Sequence, residues 1–362
     1  MRYEKIISPS LGSSKGRIPE PHEAVHLDRL GTACFKSFSA THTGSGNRIW
    51  TGTGGDGERL FLKQLLGRPA EERLLSAMAF EEYVSQLGDI DIAPRHLGSD
   101  AENSALLFEA LPDVHDGRAL ADASEFWESH AHAAGLLTRR LHSLEGAGAT
   151  LPTQPAAPVA LALREVFEGV PEQIYTDASG AEVESWRVVQ RDHALAGAIT
   201  ELFASSRPVP RVPTHGALRL EHMLFREQSV HFTDWTEFGL ADPARDIARF
   251  VSEFLLRAVR KTRVCGEDDS TGASIERVLR ELEYLRPLVV AFWRAYLGGR
   301  VDPDLIHRSV AHSGVYLLES VLFGVEGREL LHRADRAALT LGRVLVITPS
   351  AFANKIGLES VE

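Results

Sequence analysis

Polar groups of the kind that handle phosphate and metal ions crowd into one stretch of this chain. Thr214-His215-Gly216-Ala217-Leu218-Arg219-Leu220-Glu221-His222 runs into Met223-Leu224-Phe225, and Val230-His231-Phe232-Thr233-Asp234-Trp235 follows after a short break. Two apolar runs of strand length bracket the polar residues, so Asp234 falls directly after a strand. A carboxylate in that place, beside a loop carrying two histidines, offers donors for a divalent cation and the phosphates it would neutralise. Spacing alone fits an ordinary hairpin with scattered polar residues equally well.

The elements that would position these groups read as two unlike halves. Residues 1–24 carry Ser, Gly, Pro and mixed charge with little periodicity and read as a loose arm. Ala33–Ala40 and Arg48–Gly52 read as strands around the link Thr41-His42-Thr43-Gly44-Ser45-Gly46-Asn47. The turn Gly54-Gly55-Asp56-Gly57 leads to a third strand, Arg59–Leu65, because Asp-Gly between strand-like runs is a hairpin signal. Pro69 opens a helix of about eighteen residues, with Glu71 and Glu72 in its first turn and Leu74, Leu75, Met78, Ala79 and Leu87 at helical spacing. Ile90–Gly98 and Ser104–Leu111 supply two more strands. This places a small α+β lobe over residues 25–111 and a mainly helical lobe over 112–362, with the polar loop at 214–235. Within the second lobe, helices are expected over Glu125–Leu144, 159–169, 187–206, Asp242–Arg260, 275–299 and 302–345. Residues 145–158 and Cys265–Ser274 read as loops. No internal repeat is present.

The 214–246 segment resembles the catalytic segment of aminoglycoside phosphotransferases and choline-kinase-like enzymes. Their pattern is His-Gly-Asp, four residues, Asn, a short strand and then Ile-Asp-Trp or similar. His215-Gly216 and Thr233-Asp234-Trp235 match it, and Gly239-Leu240-Ala241-Asp242-Pro243-Ala244-Arg245-Asp246 matches the Gly-x-x-Asp-Pro-x-x-Asp that follows. Upstream landmarks fall in order: Phe61-Leu62-Lys63 for the third strand's lysine, Glu81 for its helix partner, Leu107-Phe108-Glu109-Ala110-Leu111 for the hinge strand, and Leu136–Leu144 for a helix ending in Leu-His. The resemblance spans roughly residues 33–255 and implies a bilobal, protein-kinase-like fold with a five-stranded antiparallel sheet in the first lobe.

It also implies ATP and Mg²⁺ as cofactors. Lys63 would contact the α- and β-phosphates, held there by Glu81 or its neighbour Glu82. Gly44 and Gly46 would bring backbone N–H groups to phosphate, and Glu109 and Leu111, in the hinge strand, would contact the nucleotide. Asp234 would be the Mg²⁺ ligand bridging phosphates. His215 would support the loop through hydrogen bonds, and Asp242 and Asp246 would brace it.

Two departures stand at the centre of the motif. Ala217 occupies the place of the aspartate that accepts the substrate hydroxyl's proton, and a methyl group cannot do so. His222 occupies the place of the metal-binding asparagine. Imidazole is a softer ligand than an amide oxygen, so His222 is a candidate both for the metal and for a direct phosphate hydrogen bond. Three accounts stay open: a pseudokinase, an enzyme using Glu221 or His222 as base, or a chain in which the aspartate was replaced by alanine. Leu218–His222 and Thr233–Asp246 further resemble the kinase subunit of class V lanthipeptide synthetases and the phosphotransferase-like proteins of thioamitide clusters. That resemblance implies Ser/Thr hydroxyls of a precursor peptide as acceptor and a separate lyase as partner. A small-molecule phosphotransferase and a non-catalytic subunit binding peptide or lyase are the alternatives.

Composition bounds the rest. Of 362 residues, 44% are hydrophobic and 25% charged, the balance of a globular chain rather than a disordered one. With 39 Lys and Arg against 50 Asp and Glu, net charge is −11, which supplies no basic field for nucleic acid. Cys34 and Cys265 lie outside any C-x-x-C spacing, against a disulfide framework or a cysteine zinc site. No run reaches the ~18 apolar residues of a membrane span, and the amino terminus lacks a signal-like apolar core. The expected compartment is the cytoplasm.

Overall fold

The computed structural model describes residues 19–30, 35–42, 47–67, 69–88, 90–145, 151–153, 166–204, 209–227, 229–261 and 271–359. The first lobe is a five-stranded antiparallel sheet: β1 (Phe35–His42), β2 (Arg48–Gly54), β3 (Arg59–Gln64), β4 (His96–Asp100) and β5 (Ala105–Glu109), in the order β1-β2-β3-β5-β4. Period-two alternation decides which face each residue serves. Trp50, Leu60, Leu62, Ala105 and Leu107 form the core on one face, which leaves Lys63 on the other, toward the cleft.

The start of the chain differs from expectation. A short helix, α1 (Pro21–Ala24), closes the expected arm, and the carbonyl of Pro19 accepts a hydrogen bond from the Trp50 indole at 3.0 Å. That contact, invisible in local composition, ties residues 19–24 to the sheet. The eighteen residues before it, and Gly44 and Gly46, lie outside the described residues.

Helix α2 (Ala70–Leu87) crosses between β3 and β4. Its buried stripe is Leu74, Ala77, Phe80 and Tyr83, while Leu75 and Met78 are 59% and 36% exposed. The helix carries apolar residues nearly all round, so spacing alone does not select the inner face.

The second lobe is helical, with β6 (His115–Asp116), β8 (Met223–Arg226) and β9 (Ser229–Phe232) in a three-stranded sheet, order β6-β8-β9, and β7 (Val212–Thr214) paired with β10 (Gly239–Ala241), around the polar loop. Helix α3 (Gly117–Asp122) is N-capped by Asp116. Helix α4 (Glu128–His142) buries Ala131, Ala134, Leu137 and Leu141, as its 3.6-residue spacing requires. It lies against the helix Thr271–Leu297 so closely that a Cβ on Gly135 would fall 2.2 Å from the Phe292 carbonyl oxygen.

Two expected helices are in fact pairs. The 187–206 stretch divides into the helices Gly180–Gln190 and His193–Leu202, the second restarted by the Asp192 side chain, which accepts from Leu195 N. The 302–345 stretch divides into Pro303–Leu322 and Arg333–Ile347, separated by a segment holding Gly324 and Gly327, the latter at φ +72. Of the expected 159–169 helix, residues 166–168 are helical and the remainder up to 165 lie outside the described residues. The helix after the expected Cys265–Ser274 loop begins at Thr271, inside it; Cys34 and Cys265 themselves are not described. The helix expected from Asp242 runs from Ala244 to Lys261. Among the described residues, no helix is long and apolar enough to cross a membrane.

Candidate active site

The polar loop is held by one buried carboxylate. Asp246, in the first turn of the Ala244–Lys261 helix, accepts from His215 N at 2.7 Å, Gly216 N at 2.9 Å and His142 Nε2 at 3.1 Å. Burial raises its pKa, but the His142 hydrogen bond and the histidine charges around it outweigh burial and leave it below the ordinary range. The chain bends there at Gly216, whose φ of +84 suits a residue without Cβ. His142 is fixed in turn, with Tyr296 Oη 3.0 Å from Nδ1. The brace expected of Asp246 is present, and its partner at the end of α4 comes from a part of the sequence a hundred residues earlier. Asp242 caps Ala244 N and pairs with Arg308 at 2.7 Å.

His215 is a structural group. Nε2–H donates to the Thr233 carbonyl at 2.8 Å and Nδ1 accepts from Ala217 N at 3.3 Å, the pattern of a neutral ring. Burial depresses its pKa to about 4, in keeping with that tautomer. The ring thereby couples the 215–217 backbone to the strand end carrying Asp234.

Asp234 sits at φ +67, a left-handed conformation uncommon for a residue with a side chain. Lys63 Nζ lies 2.6 Å from its Oδ1, Thr236 Oγ1 donates to the same oxygen at 2.7 Å, and His222 Nε2 lies 3.3 Å from Oδ2. Burial pushes the carboxyl up, yet the Lys63 ammonium and His222 outweigh it and hold Asp234 well below the usual carboxylate range. Burial lowers the pKa of His222, with the Asp234 charge opposing. His222 Nδ1–H donates to the Ala217 carbonyl at 2.7 Å, which turns Nε2 toward Asp234.

The two lobes meet through an aromatic stack. Phe80 of α2 lies on Trp235 with ring centroids 3.6 Å apart and planes 6° from parallel, and His215 packs on the same indole at 4.6 Å. Phe80 and Trp235 thus set the distance between the sheet carrying Lys63 and the loop carrying Asp234. Periodicity of α2 did not single Phe80 out; Trp235, adjacent to the candidate carboxylate, was the available signal.

The expected Lys63–Glu81 pair is not formed. Lys63 is committed to Asp234, while the Glu81 carboxylate has no ion pair among the described residues and burial raises its pKa to about 7. Glu82 is exposed. The physical reason is geometric: the packing of the two lobes brings the Asp234 carboxylate, rather than Glu81, to the Lys63 ammonium. Glu109 ends β5 and pairs with Arg95 at 2.9 Å, and Leu111 follows, half-buried.

Position 217 is a buried methyl group, 4% exposed. Of the two neighbouring groups that could accept a proton, Glu221 is turned away onto Arg118 at 2.7 Å, whereas His222 touches the Ala217 carbonyl directly.

The Phosphotransferase enzyme family (APH) matches residues 39–261, well over half of the chain. The chain belongs to that family. Among solved structures, it is similar to a choline/ethanolamine kinase family protein from Mesorhizobium loti, with 15% identity, 90% of this chain and 95% of that one covered, and a TM-score of 0.55. It is also similar to the amicoumacin kinase hAmiN in complex with AMP-PNP, Ca²⁺ and Ami (13% identity, 90% and 92% covered, TM-score 0.53) and to a Plasmodium vivax ethanolamine kinase (14%, 91% and 87%, TM-score 0.53). At these identities the likeness is one of fold, and it is the bilobal kinase-like fold. No curated protein matches the sequence.

Proposed function

We propose that this phosphotransferase binds a nucleoside triphosphate with a divalent cation in the cleft between β3 and the 214–235 loop, and passes phosphate to a hydroxyl group. The observation that carries the reading is the meeting of Lys63 from one lobe and His222 from the other on Asp234, at 2.6 and 3.3 Å. Such an assembly of one strand lysine and one loop carboxylate neutralises and orients phosphates. Asp234 and the Nε2 of His222 fit a divalent ion as ligands, and among the described residues no group of three or more protein ligands could hold one unaided. Phosphate oxygens and water would complete the shell, as is usual for Mg²⁺. Bound there, the ion would supply charge neutralisation on the phosphates.

The chain's own residues do the rest. Lys63, released from Asp234, contacts phosphate, and the unpaired Glu81 is the carboxylate available to receive it from α2. His215 and Asp246 keep the 215–217 backbone fixed, and Asp234 would hold the ion. The acceptor we propose is a Ser or Thr hydroxyl of a ribosomal precursor peptide, phosphorylated ahead of phosphate elimination by a partner lyase in the cytoplasm. The support for it is the likeness of residues 218–222 and 233–246 to the kinase subunits of lanthipeptide and thioamitide systems. A second reading, a non-catalytic subunit that binds peptide or lyase, is favoured by the methyl group at 217.

Ala217→Asp separates the two. A positioned general base contributes ~10²–10⁴-fold, so single-turnover transfer from ATP to a Ser/Thr peptide should rise by about 10²-fold or more. Equal rates in both forms would refute 217 as the base position. A measurable rate in the original chain that is lost in His222→Asn would move the role to His222.

A further inference from the structure

A groove of about 1090 Å³ opens on the second lobe, and neither Lys63 nor Asp234 lines it. Its floor is Phe126, Phe254 and Leu285, all buried. Its walls are α3, the second half of the Ala244–Lys261 helix and the middle of the Thr271–Leu297 helix. Trp127 and Tyr284 also line it and are 58% and 64% exposed. One wall is fixed to the polar loop by direct contacts. Arg118 of α3 pairs with Glu221 at 2.7 Å, and a Cβ on Gly117 would fall 2.8 Å from the Leu220 carbonyl oxygen. Phe126 meets Phe225, in the strand that follows the loop, edge-on at 5.5 Å. The groove therefore begins beside Glu221, four residues after Ala217.

The charges on the lining do not balance once its ion pairs are set aside. Arg118 is held by Glu221, Arg257 by Asp122 at 2.8 Å and Lys261 by Glu281 at 2.8 Å. Arg260 is engaged as well. The lining carboxylates Glu128, Glu253 and Glu283 make no ion pair among the described residues. Glu128 and Glu283 are exposed, but Glu253 is half-buried, where a charge without a partner is costly. Burial and the nearby Glu221 charge raise its pKa, and the cations that oppose them include Arg249 and Arg118, committed to Glu319 and Glu221. The groove is thus short of one cation, at Glu253.

Size and composition point to a polypeptide as the source of that cation. The volume stands at the upper end of what drug-sized ligands occupy. Trp, Tyr and Arg together on one surface are the residues that anchor protein partners.

We propose that this groove docks a segment of the peptide substrate away from its reacting hydroxyl, with Glu253 receiving a lysine or arginine side chain of that segment. The Trp127 indole offers a face for the stem of that side chain, and the carboxylate a charge-assisted hydrogen bond for its head. Only the word substrate rests on the phosphotransferase reading; the docking groove does not. A net charge of −11 acts in the same sense, drawing a basic segment toward the chain.

The test is calorimetry on the full chain with Mg²⁺ and AMP-PNP, titrated with short Ser-containing peptides in which a single Lys is moved position by position. Matched peptides carry Gln or Glu in its place. Lys at a defined position should tighten binding about tenfold or more over Gln, the scale of a hydrogen bond to a charged group. Glu253→Gln should erase that preference while still folding and binding AMP-PNP. Trp127→Ala, at an exposed position, should weaken the Lys peptide too. Lys and Gln peptides that bind alike, a Glu peptide that binds better, or a Lys preference that survives Glu253→Gln would each overturn the proposal. Should Glu253→Gln not fold, undiminished binding of the Lys peptide by Trp127→Ala would overturn it instead. Failure of AMP-PNP to bind would sink the phosphotransferase reading alone, because the same titrations without nucleotide still decide the groove.

Discussion

Asp246→Ala tests whether the loop is held as described. The substitution removes one carboxylate and leaves three donors, His215 N, Gly216 N and His142 Nε2, with no acceptor in a fully buried setting. A hydrogen bond to a charged group contributes about 1.5–3 kcal/mol and an orphaned buried donor costs a comparable amount. The three are coupled through one carboxylate and do not add. The measured range for breaking a buried charged network, about 3–5 kcal/mol, is the better guide. We expect about 4 kcal/mol of lost stability near pH 7 by urea denaturation, and less for Asp246→Asn, which keeps one acceptor oxygen but turns an amide toward a donor. The sign with pH is fixed by the direction of the shift. Asp246 has a folded pKa below its unfolded value, so its contribution is present above about pH 4, the unfolded carboxyl value, and is lost as pH falls further. The gap between wild type and Asp246→Ala should therefore narrow in acid. A loss under about 1 kcal/mol at pH 7, or a gap that widens toward low pH, would refute the account of the loop.

Lys63→Met should weaken AMP-PNP binding by about tenfold or more in calorimetry, since a charged hydrogen bond to phosphate is lost; without nucleotide it should also cost about 2–4 kcal/mol, because Asp234 loses its counter-ion. Glu81→Gln should stabilise the nucleotide-free protein at pH 8 and leave it unchanged at pH 4. The carboxyl's folded pKa of about 7 lies above the unfolded value, so wild-type stability falls as pH rises from about 4.5 to 7; at about 1.4 kcal/mol per unit, and with partial solvent screening, the gain is on the order of 1–3 kcal/mol. A gain independent of pH in thermal melts would contradict the assignment. Phe80→Ala should cost about 3–5 kcal/mol and weaken AMP-PNP binding as well, because the Phe80–Trp235 stack sets the lobe spacing; a stability loss with undiminished nucleotide affinity would show that the stack is packing alone.

The sheet was legible because its signals are local. Alternation and an Asp-Gly turn placed β2 and β3 within two residues of their ends, and with them Lys63. Asp234 was legible for a similar reason, a carboxylate directly after a short apolar run. What could not be read depends on contacts between distant segments. The face of α2 is chosen by the stack of Phe80 on Trp235, not by its own composition. The partner of Lys63 is set by how the two lobes pack, which brings Asp234 rather than Glu81 to its ammonium. Helix breaks at Asp192 and near Gly327 are set by a single capping carboxylate and by glycines in a sequence otherwise apolar at helical spacing.

The alanine at 217 takes on a different meaning once the loop's contacts are known. The bonds that shape residue 217 are made by its backbone: its N–H donates to His215, and its carbonyl accepts from Arg219 N at 2.7 Å and from His222. None of them involves the side chain, so the loop's geometry does not depend on whether a methyl or a carboxylate projects from it. The scaffold around an absent base is therefore intact, with Asp246, His215 and Trp235 all buried and engaged. A carboxylate restored at 217 would enter a prepared position, but within a site already holding the negative charge of Asp234. Lys63 neutralises that charge in the free protein, and a divalent ion would do so with nucleotide bound. The rate gain expected of Ala217→Asp should thus depend on the cation: large with nucleotide and metal together, and accompanied by a loss of stability when both are withheld.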